Sequence, residues 1–289
     1  NLTKENLKTL ASKKLEKIIR FSTDTTLKAF LVGIISTILI QSSSGITAIV
    51  VAFIASGYLS FKQGLAIMIG SNIGTCATAF LLGFNIEESS LIIISTASIF
   101  IFLSKKESSL YLSQALLGIG FIFLGLQFMG VGFENIAKSK NFISFMMKYA
   151  NSFPIAFFFG IIVTFLIQSS SAIIGLLEQI YAANLISLSS SIAILLGSNI
   201  GTTLTGYIAT IKTNSEASKA VTANVLFNLL GSLLFIIILP LFKYIINSLI
   251  SLNIANTKEL TIAFSHLIFN ISTGLLAYIF FEYLIKLTL

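Results

Sequence analysis

The 289 residues contain no tryptophan, two prolines, one cysteine and one histidine. A tryptophan belt at a membrane interface is therefore absent, and Tyr58, Tyr111, Tyr149, Tyr207, Tyr244 and Tyr283, near the ends of apolar segments, are the candidate anchors instead. Cys76 alone excludes an intrachain disulfide and a multi-cysteine zinc site. No Walker-type phosphate loop occurs, so nothing points to ATP hydrolysis. Charge is scarce as well: 10% of residues are charged, where a soluble domain carries about 25%.

What is present is apolar. Hydrophobic residues make up 55% of the chain, which reads as a polytopic membrane protein. The net charge of +7 does not indicate nucleic acid. Six of the 18 basic residues (Lys4, Lys8, Lys13, Lys14, Lys17 and Arg20) fall in residues 1–20, and most others lie in short connections. That placement suits anionic headgroups and the positive-inside rule. Residues 1–20 read as an amphipathic helix on the cytoplasmic face of the bilayer. The opening Asn-Leu-Thr-Lys has no signal-peptide shape.

Apolar stretches follow at 26–56, 63–84, 90–103, 109–130, 153–183, 187–211, 219–239 and 260–285. A single crossing takes about 20 residues. The stretches 26–56 and 153–183 are too long for one crossing and carry polar residues in the middle. They predict broken helices or re-entrant hairpins, tolerated where exposed backbone is buried in protein or lines a cavity. Loops are expected at Glu87–Glu88, Lys105–Glu107, Lys138–Lys148, Lys212–Lys219 and Asn253–Glu259.

The strongest signal is internal. Residues 33–46, GIISTILIQSSSGI, match residues 160–173, GIIVTFLIQSSSAI, at all but three positions. GSNIGT occurs at Gly70–Thr75 and again at Gly197–Thr202. Gln41 aligns with Gln168 and Asn72 with Asn199, both at an offset of 127; Thr78 aligns with Thr205. One duplicated unit explains both. The expected division is 1–104, 105–240 and a C-terminal transmembrane region, 241–289. The partner of the apolar segment 110–128 would precede residue 1, so a first transmembrane helix is expected upstream. The richer lysine content of 1–20 over 128–147 agrees with units inverted in the membrane.

Gln41, Ser42, Ser43 and Ser44, with Gln168, Ser169, Ser170 and Ser171, put four consecutive polar side chains inside apolar segments. Such a run cannot face lipid on all sides. Serine hydroxyls can bond back to their own helix or join helices, but a run this long, repeated, favours a binding site. In GSNIGT the glycines release helical geometry, and Ser71, Asn72 and Thr75, or Ser198, Asn199 and Thr202, can cap a new helix start. The expectation is a helix break near the midplane whose N-terminus suits an oxyanion and whose freed oxygens suit sodium. The alternative is a tight packing notch of Gly and Ser. Sodium would be held through Ser43, Asn72, Ser170 and Asn199. With almost no buried Arg or Lys, sodium supplies the countercharge, which couples anion to cation.

The doubled QSSS–GSNIGT pattern resembles the type II sodium–phosphate cotransporter family, bacterial members included. Ala263–Asn270, AFSHLIFN, is similar to that family's A-x-x-H-x-x-F-N helix, and Ala220–Asn228 is a second version with Asn224 in place of His. The resemblance implies that both QSSS runs and the GSNIGT residues line phosphate and sodium sites. It departs after the first GSNIGT, where an Asp of animal members has no clear match and Gly83–Ser90 reads GFNIEESS.

Glu178, in an apolar run, is either an ion-coupling residue or a helix-end residue facing water. Glu282 and Lys286 read as a helix-face pair. His266 reads as a packing or hydrogen-bonding residue; a serine hydrolase would need its triad once, whereas the serine run is doubled. The reading is an all-α, inverted-repeat secondary transporter in the cell membrane that couples sodium to inorganic phosphate. It is not an enzyme, and no redox or organic cofactor is implied. A channel, another oxyanion or proton coupling are the alternatives, and a homodimer is left open.

Overall fold

The computed structural model describes residues 19, 21–83, 89–104, 106–137, 139–140, 144, 152–211 and 213–287. The expected surface helix 1–20, the Glu87–Glu88 loop, Tyr149 and most of Lys138–Lys148 lie outside them. Helices account for the secondary structure, and no strand occurs among the described residues.

The chain runs α1 (Thr26–Ile40), α2 (Ser43–Ala55), α3 (Phe61–Gly83), α4 (Ser90–Leu103), α5 (Glu107–Ala137), α6 (Phe153–Ile167), α7 (Ser170–Ala182), α8 (Leu188–Leu204), α9 (Gly206–Ala209), α10 (Ser215–Ile237), α11 (Leu239–Ser251), α12 (Lys258–Ile279) and α13 (Phe281–Lys286). Among the described residues four spans are long and apolar enough to cross a membrane: 61–81, 188–209, 215–237 and 258–279. Polarity is turned inside out relative to a water-soluble fold. Leu39, Phe102, Leu166 and Ile237 face outward, while Ser71, Asn72, Ser198, Asn199 and Asn224 are buried. An exterior of that kind is stable only against lipid, and the chain is a multi-pass, all-α membrane protein.

The two long apolar stretches are each divided in two. α1 has 15 residues and α2 has 13, so at 1.5 Å per residue they are about 22 and 20 Å long. A hydrocarbon core is about 30 Å thick. Each pair is therefore a hairpin of half-length helices. α6 (15 residues) and α7 (13 residues) repeat the arrangement.

GSNIGT behaves differently from the expectation. α3 is continuous through Gly70–Thr75 and α8 through Gly197–Thr202, so neither motif breaks its helix. The reason is packing. α1 lies along α3, and α6 along α8. A Cβ on Gly33, Gly70 or Gly74 would sit 2.1, 2.0 or 2.6 Å from the carbonyl oxygens of Ile67, Phe30 and Ile34. On Gly160, Gly197 and Gly201 it would sit 2.3, 2.1 and 2.5 Å from those of Ile194, Phe157 and Ile161. GSNIG is thus a small-xxx-small face that admits a neighbouring backbone. The same contacts recur 127 residues on.

The remaining helices close around these pairs. α12 packs on α3 and α7, and α10 on α8 and α3. Rings of Phe235 and Phe269 meet edge to face at 5.0 Å between α10 and α12. Glu282 does not pair with Lys286 as its spacing suggests; it bonds Lys62 at the start of α3, at 2.7 Å. Lys286 instead lies 5.7 Å over the Tyr283 ring.

Candidate functional site

Each hairpin turns on its glutamine. Gln41 takes the left-handed conformation, φ 58° and ψ 24°, and Gln168 repeats it at φ 60° and ψ 22°. Both donate their backbone N–H to a threonine carbonyl one turn back, Thr37 and Thr164, at 2.7 Å. Glycine is the usual residue at such a helix end, because a side chain there costs about 1–2 kcal/mol. The next residue then begins a new helix. Ser42 Oγ accepts the Gly45 N–H at 3.0 Å and Ser169 Oγ accepts the Ala172 N–H at 3.3 Å. These are N-caps. Ser43 and Ser44, and Ser170 and Ser171, occupy the first helical positions, whose N–H groups have no carbonyl within their own helix.

The fold brings the two tips together. Gln41, Ser42, Ser43, Ser44, Gln168, Ser169, Ser170 and Ser171 line one cleft with a cavity volume of about 50 Å³. Pockets for organic ligands are larger, about 300–1,000 Å³, so this one suits a small ion. Ser44 Oγ donates to the Gln168 carbonyl at 3.2 Å, across the two hairpins. The N-termini of α2 and α7 both open on the cleft, each with roughly half a positive charge. Among the described residues no lysine or arginine lines it. Its described lining offers neutral hydroxyls, amides and helix dipoles.

Two aligned threonines support the tips from α3 and from the end of α8. Thr78 Oγ1 donates to Gln41 Oε1 at 2.5 Å, while Gln41 Nε2 donates to the Ile38 carbonyl at 2.7 Å. Thr205 stands 3.5 Å from Ser44 Oγ. Thr164 Oγ1 donates to Ser198 Oγ at 2.9 Å, which ties α6 to α8 below the second tip. None of these threonines was among the candidate site residues. The signal was present, since Thr37 and Thr164, and Thr78 and Thr205, are identical across the two units.

The sequence model of the Na+/Pi-cotransporter family matches residues 1–131 and again residues 127–273. The chain belongs to that family. It is a family of transporters, not of enzymes. The chain is 31% identical over 235 residues to "Uncharacterized protein YqeW" of Bacillus subtilis, covering 80% of this chain and 75% of that protein. It is 27% identical over 259 residues to "Putative inorganic phosphate export protein YjbB" of Escherichia coli, covering 89% of this chain and 47% of that one. The chain thus spans about half the length of the YjbB relatives. A 47-residue stretch is 51% identical to "Sodium-dependent phosphate transport protein 2A" of Ovis aries, 16% of this chain and 7% of that protein. No solved structure matches the chain.

In this member of the cotransporter family the candidate residues fall into two groups. The QSSS residues form the cleft wall. The GSNIGT residues lie buried in helix interfaces and bond mainly along their own helices. Ser71 donates to the Met68 carbonyl at 2.7 Å, Thr75 to Ser71 at 3.0 Å, Asn199 to Leu195 at 2.9 Å and Thr202 to Ser198 at 2.9 Å. Asn72 also reaches across to Asn224 Oδ1 at 3.4 Å. Of the suggested sodium ligands, Ser43 and Ser170 are in the cleft, and Asn72 and Asn199 are in the helix packing. Glu178 is buried in α7, two turns beyond Ser170. His266 is buried in α12, is not among the cleft-lining residues, and its ring nitrogens make no hydrogen bond among the described residues.

Proposed function

We propose that this chain carries inorganic phosphate across the cell membrane coupled to sodium ions, and that the cleft between the two hairpin tips is the phosphate site. One observation carries the reading. Two helix N-termini and two serine runs meet in a small cleft lined, among the described residues, by no basic residue, inside a chain whose described exterior is apolar. Unsatisfied N–H groups and hydroxyls there donate to an oxyanion. With no fixed cation, a bound phosphate keeps most of its charge in a low-dielectric setting, which is costly. Sodium held by hydroxyl, amide and carbonyl oxygens removes that cost, so each ion raises the affinity of the other. The family's name and the relatives named for sodium-dependent phosphate transport and phosphate export support this assignment.

The same reading takes Ser43, Asn72, Ser170 and Asn199 as sodium ligands, Glu178 as a coupling residue, and the two units as inverted in the membrane. The test is uptake of radiolabelled phosphate into proteoliposomes with and without an inward sodium gradient. Saturable, gradient-driven uptake that is lost in Ser43→Ala/Ser170→Ala supports it. Folded protein that moves phosphate without regard to sodium removes the coupling claim. Single-step conductance would replace the carrier with a channel.

A further inference from the structure

α3 and α8 begin at aligned residues, Phe61 and Leu188, 127 positions apart, yet they end differently. α3 runs straight past Thr78 to Gly83. The regular bonding of α8 lapses at Thr205, whose own backbone stays helical at φ −63° and ψ −24°, and resumes over α9 from Gly206 within one apolar span, 188–209. Thr205 is the partner of Thr78 in the alignment, so helix bonding diverges at that aligned pair.

The side chains diverge at the same place. Thr78 spends its hydroxyl on Gln41. Thr205 turns its hydroxyl back to the Thr202 carbonyl at 2.6 Å, and Thr203 does the same to Ile200 at 2.8 Å. Back-bonding of this kind bends helices. Among the described residues the Gln168 side chain makes no hydrogen bond; only its backbone is engaged, with Thr164 and Ser44. Gln41 is therefore clasped and Gln168 is loose. α9 rests on the opposite hairpin: a Cβ on Gly206 would meet Val221 of α10 at 3.0 Å and Thr47 of α2 at 3.2 Å.

We propose that the Thr205 turn is a two-position joint that controls Gln168. In the open position Thr205 is parked on Thr202 and Gln168 is free to follow a ligand in the cleft. In the closed position the regular bonding runs from α8 into α9 without the lapse at Thr205, and Thr205 clasps Gln168 as Thr78 clasps Gln41. Thr205 is a positioning residue, acting through the glutamine. Its consequence for transport rests on the reading of the cleft as a phosphate site: turnover requires the joint to close, whereas binding does not.

Thr205→Val keeps the shape and removes the hydroxyl; Thr205→Ser keeps the hydroxyl. The Val variant is expected to bind inorganic phosphate within about twofold of wild type and to lose about tenfold in turnover, as loss of one hydrogen bond in a rate-limiting step would give. The Ser variant restores turnover. Spin labels at Ile208→Cys and Leu166→Cys, both exposed sites, read the joint without transport, and native Cys76 is buried. Two distance populations in the labelled parent and one in the added Thr205→Val support the joint. A single population in the parent under every sodium and phosphate condition overturns it, as does wild-type turnover in Thr205→Val. Two populations in a protein that moves no phosphate would leave the joint standing and remove the transport reading.

Discussion

The QSSS tips and the GSNIGT runs have the same outward description in sequence: short polar stretches inside apolar segments, each present twice. Only the tips interrupt a helix. Gln41 and Gln168 leave helical geometry at φ near 60°, whereas Asn72 and Asn199 sit in unbroken turns. The difference lies in what the neighbours offer. At GSNIG the glycines face a carbonyl on the adjacent helix, and that close approach rewards straightness. At QSSS no glycine supplies such a face, and the first serine has free amides to cap. Polar residues in a membrane helix therefore mark a break only where the following residues can cap a new one.

That contrast can be broken most violently at the notches. Gly70→Val or Gly197→Val puts a branched side chain where a Cβ alone would be about 2 Å from a carbonyl oxygen. Either is expected to destroy the α1–α3 or α6–α8 contact and yield no monodisperse protein on size exclusion. Recovery of folded Gly197→Val would show that the notch is not what keeps α8 straight. Next comes the cleft. Ser43→Ala/Ser170→Ala should fold normally by circular dichroism and lose nearly all sodium-driven phosphate uptake; retained uptake would move the site elsewhere.

A third change separates strain from binding. Gln41→Gly or Gln168→Gly removes a side chain from a left-handed position and should stabilise the fold by about 1 kcal/mol, offset at Gln41 by the lost Thr78 bond. Gln168→Gly is thus expected to show the higher melting temperature of the two, with reduced uptake. A smaller difference is expected within GSNIGT. Asn72→Ala loses a contact to Asn224 as well as one to its own helix, and Asn199→Ala loses only the latter. Asn72→Ala should cost more, by about 1 kcal/mol. The smallest effect belongs to Lys62→Met. Its exposed pair with Glu282 is worth under about 1 kcal/mol, and thermal melts should barely move.

Much of this was legible in the residues. The shortage of charge and the long apolar runs called for a membrane protein, and the polar centres of 26–56 and 153–183 called for divided helices. The meeting of the two serine runs followed from their repetition. GSNIGT misled because glycine has two uses, release of the backbone and admission of a neighbour. Which one applies depends on residues 40 positions away, Phe30 for Gly70 and Phe157 for Gly197. The Thr78–Gln41 bond was hidden for the same reason: it joins positions 37 apart, and only the packing of α1 on α3 brings them together. Glu282 looked toward Lys286 on its own helix, but Lys62, 220 residues earlier, competes from α3.

The six glycine notches carry one more consequence, a mechanical one. α1 with α3, and α6 with α8, are held backbone to backbone, so each pair behaves as a stiff wedge that resists internal sliding. The hydrogen bonding between the two tips is slight by comparison: among the described residues, Ser44 to the Gln168 carbonyl at 3.2 Å and the longer approach of Thr205 to Ser44. A molecule made of two rigid wedges with a lightly fastened seam yields at the seam first, and the seam is where the cleft lies.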